Sequence, residues 1–365
     1  MLTKKTLWPI QPHTVAKHEI LKRYLAAWFP IVGSKFRNLI YIDGFCGPGR
    51  YSGGEPGSPI VAIEQALKHS DLLQGRYVRF RFVDEKKAYI DHLNAELSQI
   101  TIPSNFNVVT NAGEFALDIE TQFASGDLRS IEPSATFAFI DPFGFSGIPF
   151  DLVHRLLSRD RTEIFINIMA DSVNRFLSHP EQSIRSHIVD LFGTDEVLNI
   201  GHEGSDRIDK LRLLYQDQLK KHARFVRYFE MRDGNNRPIY FLFFATNHPL
   251  GQTKMKQAFW NVDPVTGNRF SDATNPNQLV LLVDDDTTEL SLILLERFRN
   301  LTVLTDEVRV FVEEETIFLN KHMKAVLKQL EDSGQLTVLP LKADGTKRRA
   351  NTFPDGVMIS FIKTR

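Results

Sequence analysis

A doubly wound, mostly parallel α/β sheet with a smaller winged-helix domain at its C-terminus is the architecture this sequence predicts. Three patterns predict it. Short apolar runs alternate with helical segments, and each run ends in a polar or acidic residue. A glycine-rich turn follows the first run, at the carboxyl end where such a sheet receives its ligand. Towards the C-terminus, three helical patterns precede two strand-like runs around a basic turn.

Taken in order, Ile20, Leu21, Tyr24, Leu25 and Trp28 recur at helical spacing and predict a helix over 13–31, with Pro30 at its end. The run NLIYID, Asn38 to Asp43, has the continuous apolar character of a strand buried on both faces. YVRFRFVD ending at Asp84, ATFAFID ending at Asp141 and TEIFINIM ending near Met169 behave alike, and FNVVTN, Phe106 to Asn111, adds a weaker strand. After a helical stretch from about Ser183 to Arg224, ARFVRYFEMRD and RPIYFLFFAT flank the turn-rich GNNRP and predict an antiparallel hairpin that closes the sheet. Val262 to Gln278 is rich in Pro, Gly, Asn and Asp and reads as a partly mobile linker.

Composition narrows the function classes. At 365 residues, with 42% hydrophobic and 24% charged, the chain has material for one large core and one smaller one. No apolar run approaches the roughly 20 residues of a membrane span, so no membrane partner is expected. The early lysines are followed by Pro9 and Pro12 rather than by an apolar stretch, so no export signal is readable. A single cysteine, Cys46, rules out an intramolecular disulfide and a cysteine-built metal site, and suits a cytoplasmic protein. A net charge of −1 argues against indiscriminate coating of nucleic acid but leaves room for a local basic patch.

The strongest motif is YIDGFCGPGRYSGG, in which Asp43 ends the strand and Gly44, Phe45, Gly47 and Gly49 form the turn. A ligand lying against backbone needs residues without side chains there, and a tight turn needs the positive φ that glycine supplies. The alternative is a tight turn and nothing more. Asp84, at the end of the second strand, has the position of a carboxylate that accepts both hydrogens of a ribose diol, or else caps the helix starting near Lys86. Asn111 faces an adenine ring or forms a plain turn, with Ala112 and Gly113 leaving room beside it. A dinucleotide fingerprint would read G-x-G-x-x-G opening directly into a helix; here Pro48 interrupts the turn and a long polar loop follows. The pattern fits S-adenosylmethionine (SAM) better than a nicotinamide. The expected organisation is therefore a class I SAM-dependent methyltransferase-like, Rossmann-like domain over 1–275 and a winged-helix-like domain over 276–365.

The catalytic candidate is FAFIDPFGF. Methylation of an exocyclic amine requires its lone pair to face the sulfonium methyl, and Asp141 with the Pro142 carbonyl can accept the amine's two hydrogens. Phe143 or Phe145 would stack on a planar base. The competing reading is an Asp-Pro turn whose phenylalanines belong to the core. Cys46 reads as a small buried residue rather than a nucleophile.

HTVAKHEILKRYLAAWFPIV, YIDGFCGPGRYSGGEPGSP, TFAFIDPFGF and the C-terminal LKQLEDSGQLTVL with TFPDGVMISFI together resemble the three-Cys-motif partner (TcmP) family, which is methyltransferase-like. The resemblance spans nearly the whole chain and implies, as partner, a neighbouring phage-type protein with a three-cysteine motif. The D-P-F-G quartet is similar to motif IV of tRNA guanine amino-methyltransferases and, more loosely, to the (D/N/S)-P-P-(Y/F) of adenine methyltransferases. By that likeness Asp141 and Pro142 match the amine-binding positions, while Phe143 replaces the second proline and Gly144 stands where the adenine enzymes have their aromatic. HTVAKHEILKRY is similar in placement to the region bordering the methionine end of SAM, which makes Lys17 and His18 candidates; an ordinary surface helix is the alternative.

In the C-terminal module, Lys321, Lys324 and Lys328 on a helix and Lys347, Arg348 and Arg349 in the following turn are candidates for nucleic-acid contact. Glu313 to Glu315 lie just before that helix, and winged helices also bind proteins. Three readings stay open: a nucleic-acid amino-methyltransferase, a methyltransferase of proteins or small molecules, and a non-catalytic SAM-binding scaffold.

Overall fold

A computed structural model describes residues 6–125, 134–201, 206–274, 287–342, 346 and 348–362. These fall into two compact units, Met1–Ala258 with Arg269–Asn277, and Phe259–Asn268 with Gln278–Arg365. The expected boundary at 275/276 lies outside the described residues.

The first unit opens with helix α1 (Pro12–Gly33), begun by a proline whose fixed φ suits the first turn. Strands and helices then alternate: β1 (Asn38–Asp43), α2 (Ser58–Leu67), β2 (Tyr77–Asp84), α3 (Lys87–Leu97), β3 (Phe106–Ala112), α4 (Phe115–Ser125), β4 (Ser134–Ile140), α5 (Phe150–Leu157) and β5 (Thr162–Ile168). Helices α6 (Ala170–Phe176), α7 (Gln182–Phe192) and α8 (Arg207–Lys220) lead to β6 (Phe225–Arg232), β7 (Pro238–Thr246) and α9 (Pro249–Val262). A short β8 (Arg269–Ser271) completes a sheet of order β3-β2-β1-β4-β5-β7-β6-β8. The strands β1 to β5 are parallel, and β7 runs antiparallel between β5 and β6, the expected closing hairpin. One expectation is corrected: Val262 to Gln278 is not a plain linker, because Arg269–Ser271 pairs in parallel with Glu230 to Arg232 at the sheet edge.

Alternation within the strands divides the core. Ile40, Ile42, Ala138, Ile140, Ile164 and Ile166 point to an aliphatic face covered by α4 to α8. On the other face the rings of Tyr41, Phe80, Phe82 and Phe137 pack together and against Tyr24, Trp28 and Phe29 of α1. Phe80, Phe82 and Phe137 are thus part of an aromatic layer between sheet and helix. Asp43 shares the parity of Tyr41, and Asp84 that of Phe82, so both carboxylates emerge on the aromatic face.

The second unit holds α10 (Thr288–Arg297), β9 (Thr302–Leu304), α11 (Thr305–Glu315), α12 (Asn320–Asp332), β10 (Leu336–Lys342) and β11 (Val357–Phe361). Its small sheet has the order β10-β11-β9. The three helices and two wing strands match the sequence reading, whereas β9 is too short to be read from periodicity. Its core runs from Trp260 through Leu290, Val308, Met323 and Leu327 to Ile359. Among the described residues, no helix is long and apolar enough to cross a membrane.

Candidate cofactor and substrate site

Register places Asp43 opposite Phe82 of β2 and Phe139 of β4, so the β1 end lies between the other two acidic strand ends. The Gly44–Gly49 turn is tied down on both sides: Gly44 N–H donates to the Phe139 carbonyl at 3.0 Å and Cys46 N–H to the Val83 carbonyl at 3.0 Å. Gly47 and Gly49 have φ of +62° and +85°. A Cβ at Gly47 would meet open space, whereas one at Gly49 would stand 2.8 Å from Leu93, and one at Gly44 would strike the Phe115 ring at 2.7 Å. Phe45 lies against that same ring, with centroids 5.8 Å apart.

Asp43 is fully buried and its Oδ2 has no hydrogen-bond partner. Burial, opposed by a hydrogen bond from Ser58 and reinforced by the charges of Asp141 and Asp84, pushes its pKa up to about 7. Asp84 accepts from Gly47 N–H at 3.0 Å and from Lys86 N–H at 2.9 Å, so it ties the glycine turn to the start of α3. The N-cap of α3 is Lys86, without a side-chain cap, so Asp84 closes a turn just ahead of the helix rather than capping it, and each of its oxygens retains a lone pair. Asn111 donates from Nδ2 to Asp118 at 2.6 Å, and Asp118 is paired with Arg81. Asn111, Gly113 and the exposed Leu117 line a cleft of about 340 Å3.

Asp141 does not stand alone. Its Oδ2 is ion-paired with Lys17, and its Oδ1 accepts from Asn167 Nδ2 at 2.8 Å. Lys17 is buried, with Nζ 5.3 Å from the centroid of Tyr240. His18 is buried as well; burial first, then the Lys17 charge, holds its pKa down at about 4, so the ring is neutral at pH 7, and its Nδ1 lacks a partner. The ordinary surface-helix alternative for Lys17 and His18 is overturned, because both face the acidic cluster. Phe143 is 76% exposed and its ring stands 6.0 Å from Trp8. Phe145 packs on Phe176 at 5.6 Å, leaving Phe143 as the ring that is free to stack. Pro142 is buried. Burial raises the Cys46 thiol pKa well above its ordinary value, which leaves it a poor nucleophile.

Sequence reasoning missed four contributors. Asn167 is a polar residue in an otherwise apolar run, a signal that was available. Tyr240, on the closing hairpin, has no local signature. Trp8 and Tyr51 pack together at 5.8 Å, and the Trp8 carbonyl accepts from Ser52 N–H at 3.0 Å, so the segment before α1 lies along the loop after the glycine turn.

In the second unit, Lys321, Lys324 and Lys328 are exposed on α12, spaced to share one face. Arg349 is exposed, and Lys347 lies outside the described residues. Arg348 is corrected from phosphate ligand to strut: it is ion-paired with Glu331, donates to the Thr352 carbonyl at 3.1 Å, and is largely enclosed. Among the described residues, no cluster of His, Cys, Asp and Glu is arranged to hold a metal ion.

A family model described as a GMT-like winged helix-turn-helix (wHTH) domain matches residues 269–343. No curated protein matches the chain in sequence. Among solved structures, an O-methyltransferase from Bacillus cereus in complex with SAH is 19% identical, covering 62% of this chain and 80% of that one at a TM-score of 0.34. Cofactor-bound Rv0187 from MTB is 12% identical over 62% of this chain and 80% of its own, at 0.32. A geranyl diphosphate methyltransferase bound to GPP and sinefungin is 11% identical over 61% and 77%, at 0.26. Each is a likeness of architecture alone. The chain's first unit is a Rossmann-like α/β sheet, and its second carries a winged helix.

Proposed function

We propose that this protein is a SAM-dependent methyltransferase acting on an exocyclic amine of a nucleobase in nucleic acid. The observation that carries the reading is the convergence of Asp43, Asp84 and Asp141 at the carboxyl ends of adjacent strands, around a turn in which Gly47 borders open space. The residues suit SAM. Asp43 has a buried oxygen without a donor, which fits an α-ammonium group; Asp84 has lone pairs left for a ribose diol; Asn111 and Gly113 border the cleft that suits an adenine. When bound, SAM supplies an electrophilic methyl group on a sulfonium centre.

The chain's own residues then orient the acceptor. Asn167 and Lys17 hold the Asp141 carboxylate by one contact on each oxygen, so its direction is set before substrate arrives. Asp141 and the Pro142 carbonyl accept the amine hydrogens and turn its lone pair toward the methyl group. Exposed Phe143 offers a face for the base. The GMT-like wHTH match and the exposed lysines of α12 support nucleic acid as the substrate polymer. Membership of the TcmP family, and with it a three-Cys-motif partner protein, rests in this reading on the sequence motifs.

Two measurements test it. Calorimetric titration with S-adenosylhomocysteine (SAH) should show binding that Asp84→Ala weakens by about tenfold or more, roughly 1.4 kcal/mol, while NADH should not bind. With methyl-labelled SAM and RNA or DNA, Asp141→Ala should lower transfer by about 10²–10⁴-fold with SAH affinity retained. Transfer to nucleic acid unaffected by Asp141→Ala would refute the assigned role.

A further inference from the structure

A second cavity lies at the opposite edge of the sheet, where β4 and β5 begin and β7 ends, beside the last turns of α1. Seven-residue strands put it roughly 20 Å from the acidic cluster. It encloses about 320 Å3, within the range of small-molecule sites. Its walls are apolar, formed by Trp28, Ile31, Val32, Phe36 and Leu250. Four basic side chains line it as well: Lys35, Arg161, His248 and Lys254. Of these, Arg161 is paired with Asp160 at 2.7 Å and Lys254 donates to Gln257 at 3.2 Å. The Lys35 charge helps to hold the His248 pKa below its ordinary value, after burial.

One polar group in the wall bears on the sign of ligand it suits. Glu163 is buried, but Tyr24 Oη donates to it at 2.7 Å and Thr246 Oγ1 at 2.8 Å. That carboxylate is served by the protein's own donors and asks for no cation. With Arg161 neutralised by Asp160, Lys35 and Lys254 supply the positive charge beside the apolar walls. Apolar walls and these two ammonium groups together define a site for an amphipathic anion.

We propose that this cavity binds a small carboxylate with an aromatic or aliphatic body, the body against Trp28 and Phe36 and the carboxylate toward Lys35 and Lys254. The site is independent of the SAM reading, because none of its residues belongs to the acidic cluster.

The test is calorimetric titration of the full chain with 3-phenylpropanoate and hexanoate, in parallel with 3-phenylpropanamide and 3-phenylpropylamine. At least one carboxylate should bind below about 1 mM and about tenfold more tightly than the amide or the amine. Val32→Trp, which fills the cavity, should abolish binding. The double variant Lys35→Glu with Lys254→Glu, at surface-accessible positions, should remove the preference for the carboxylate and decides the matter even if Val32→Trp fails to fold. Absence of carboxylate binding, equal or better binding of the amide or amine, or binding that survives both variants would overturn the proposal.

Discussion

Asp43 and His18 contribute to stability in opposite senses across the same acidic window. The fold raises the Asp43 pKa to about 7, so the stability linked to it is present below pH 4, near its unfolded value, and is lost as pH rises through 7. The fold lowers the His18 pKa to about 4, so its contribution is present above pH 6.5 and is lost as pH falls through 4. At pH 8 an ionised Asp43 is a cost on the order of 4 kcal/mol to the ligand-free protein. Asp43→Asn should therefore raise the melting temperature at pH 8, shrink that gain toward pH 4, and weaken SAH binding. Thermal unfolding across pH, paired with SAH titration, checks this; a variant less stable than wild type at pH 8 would contradict the account of an uncompensated carboxylate. The same buried oxygen that destabilises the free protein is the one offered to a cationic ligand.

Among the elements, the turn after β1 separates two functions of glycine. Gly49→Ala brings a Cβ within 2.8 Å of Leu93 at a φ of +85°, and should cost about 1–3 kcal/mol in urea denaturation. Gly47→Ala has open space around it and suffers only from its φ of +62°, so it should cost about 1 kcal/mol and act mainly on SAH affinity. Equal effects of the two on affinity and stability would remove the distinction. The strands themselves were legible: NLIYID and YVRFRFVD match β1 and β2 residue for residue, the first as a continuous apolar run buried on both faces, the second because Val78, Phe80 and Phe82 alternate with Arg79 and Arg81. β8 and β9, at three residues each, carry no period to read and owe their pairing to neighbours distant in sequence.

For the whole molecule, the basic residues near the C-terminus divide into two groups. If α12 contacts phosphates, Lys324→Ala with Lys328→Ala should reduce the slope of log affinity against log salt by roughly 2 for RNA or DNA, leaving thermal stability unchanged. Arg348→Ala should instead destabilise the winged-helix unit by about 1–3 kcal/mol, since it strands Glu331. Filter binding across salt concentrations and thermal unfolding separate the two; a salt slope unmoved by the lysine variant would argue for a protein partner on that face. The sequence alone determined the fold class and the candidate motifs, because apolar periodicity and glycine-rich turns are local properties that the chain displays in order. Only the tertiary structure decided how these residues are used. Pairing of Lys17 and Asn167 with Asp141, the unmet oxygen of Asp43 and the enclosure of Arg348 all join residues far apart in the chain. Spacing along one segment carries no trace of such contacts, since packing of separate elements creates them.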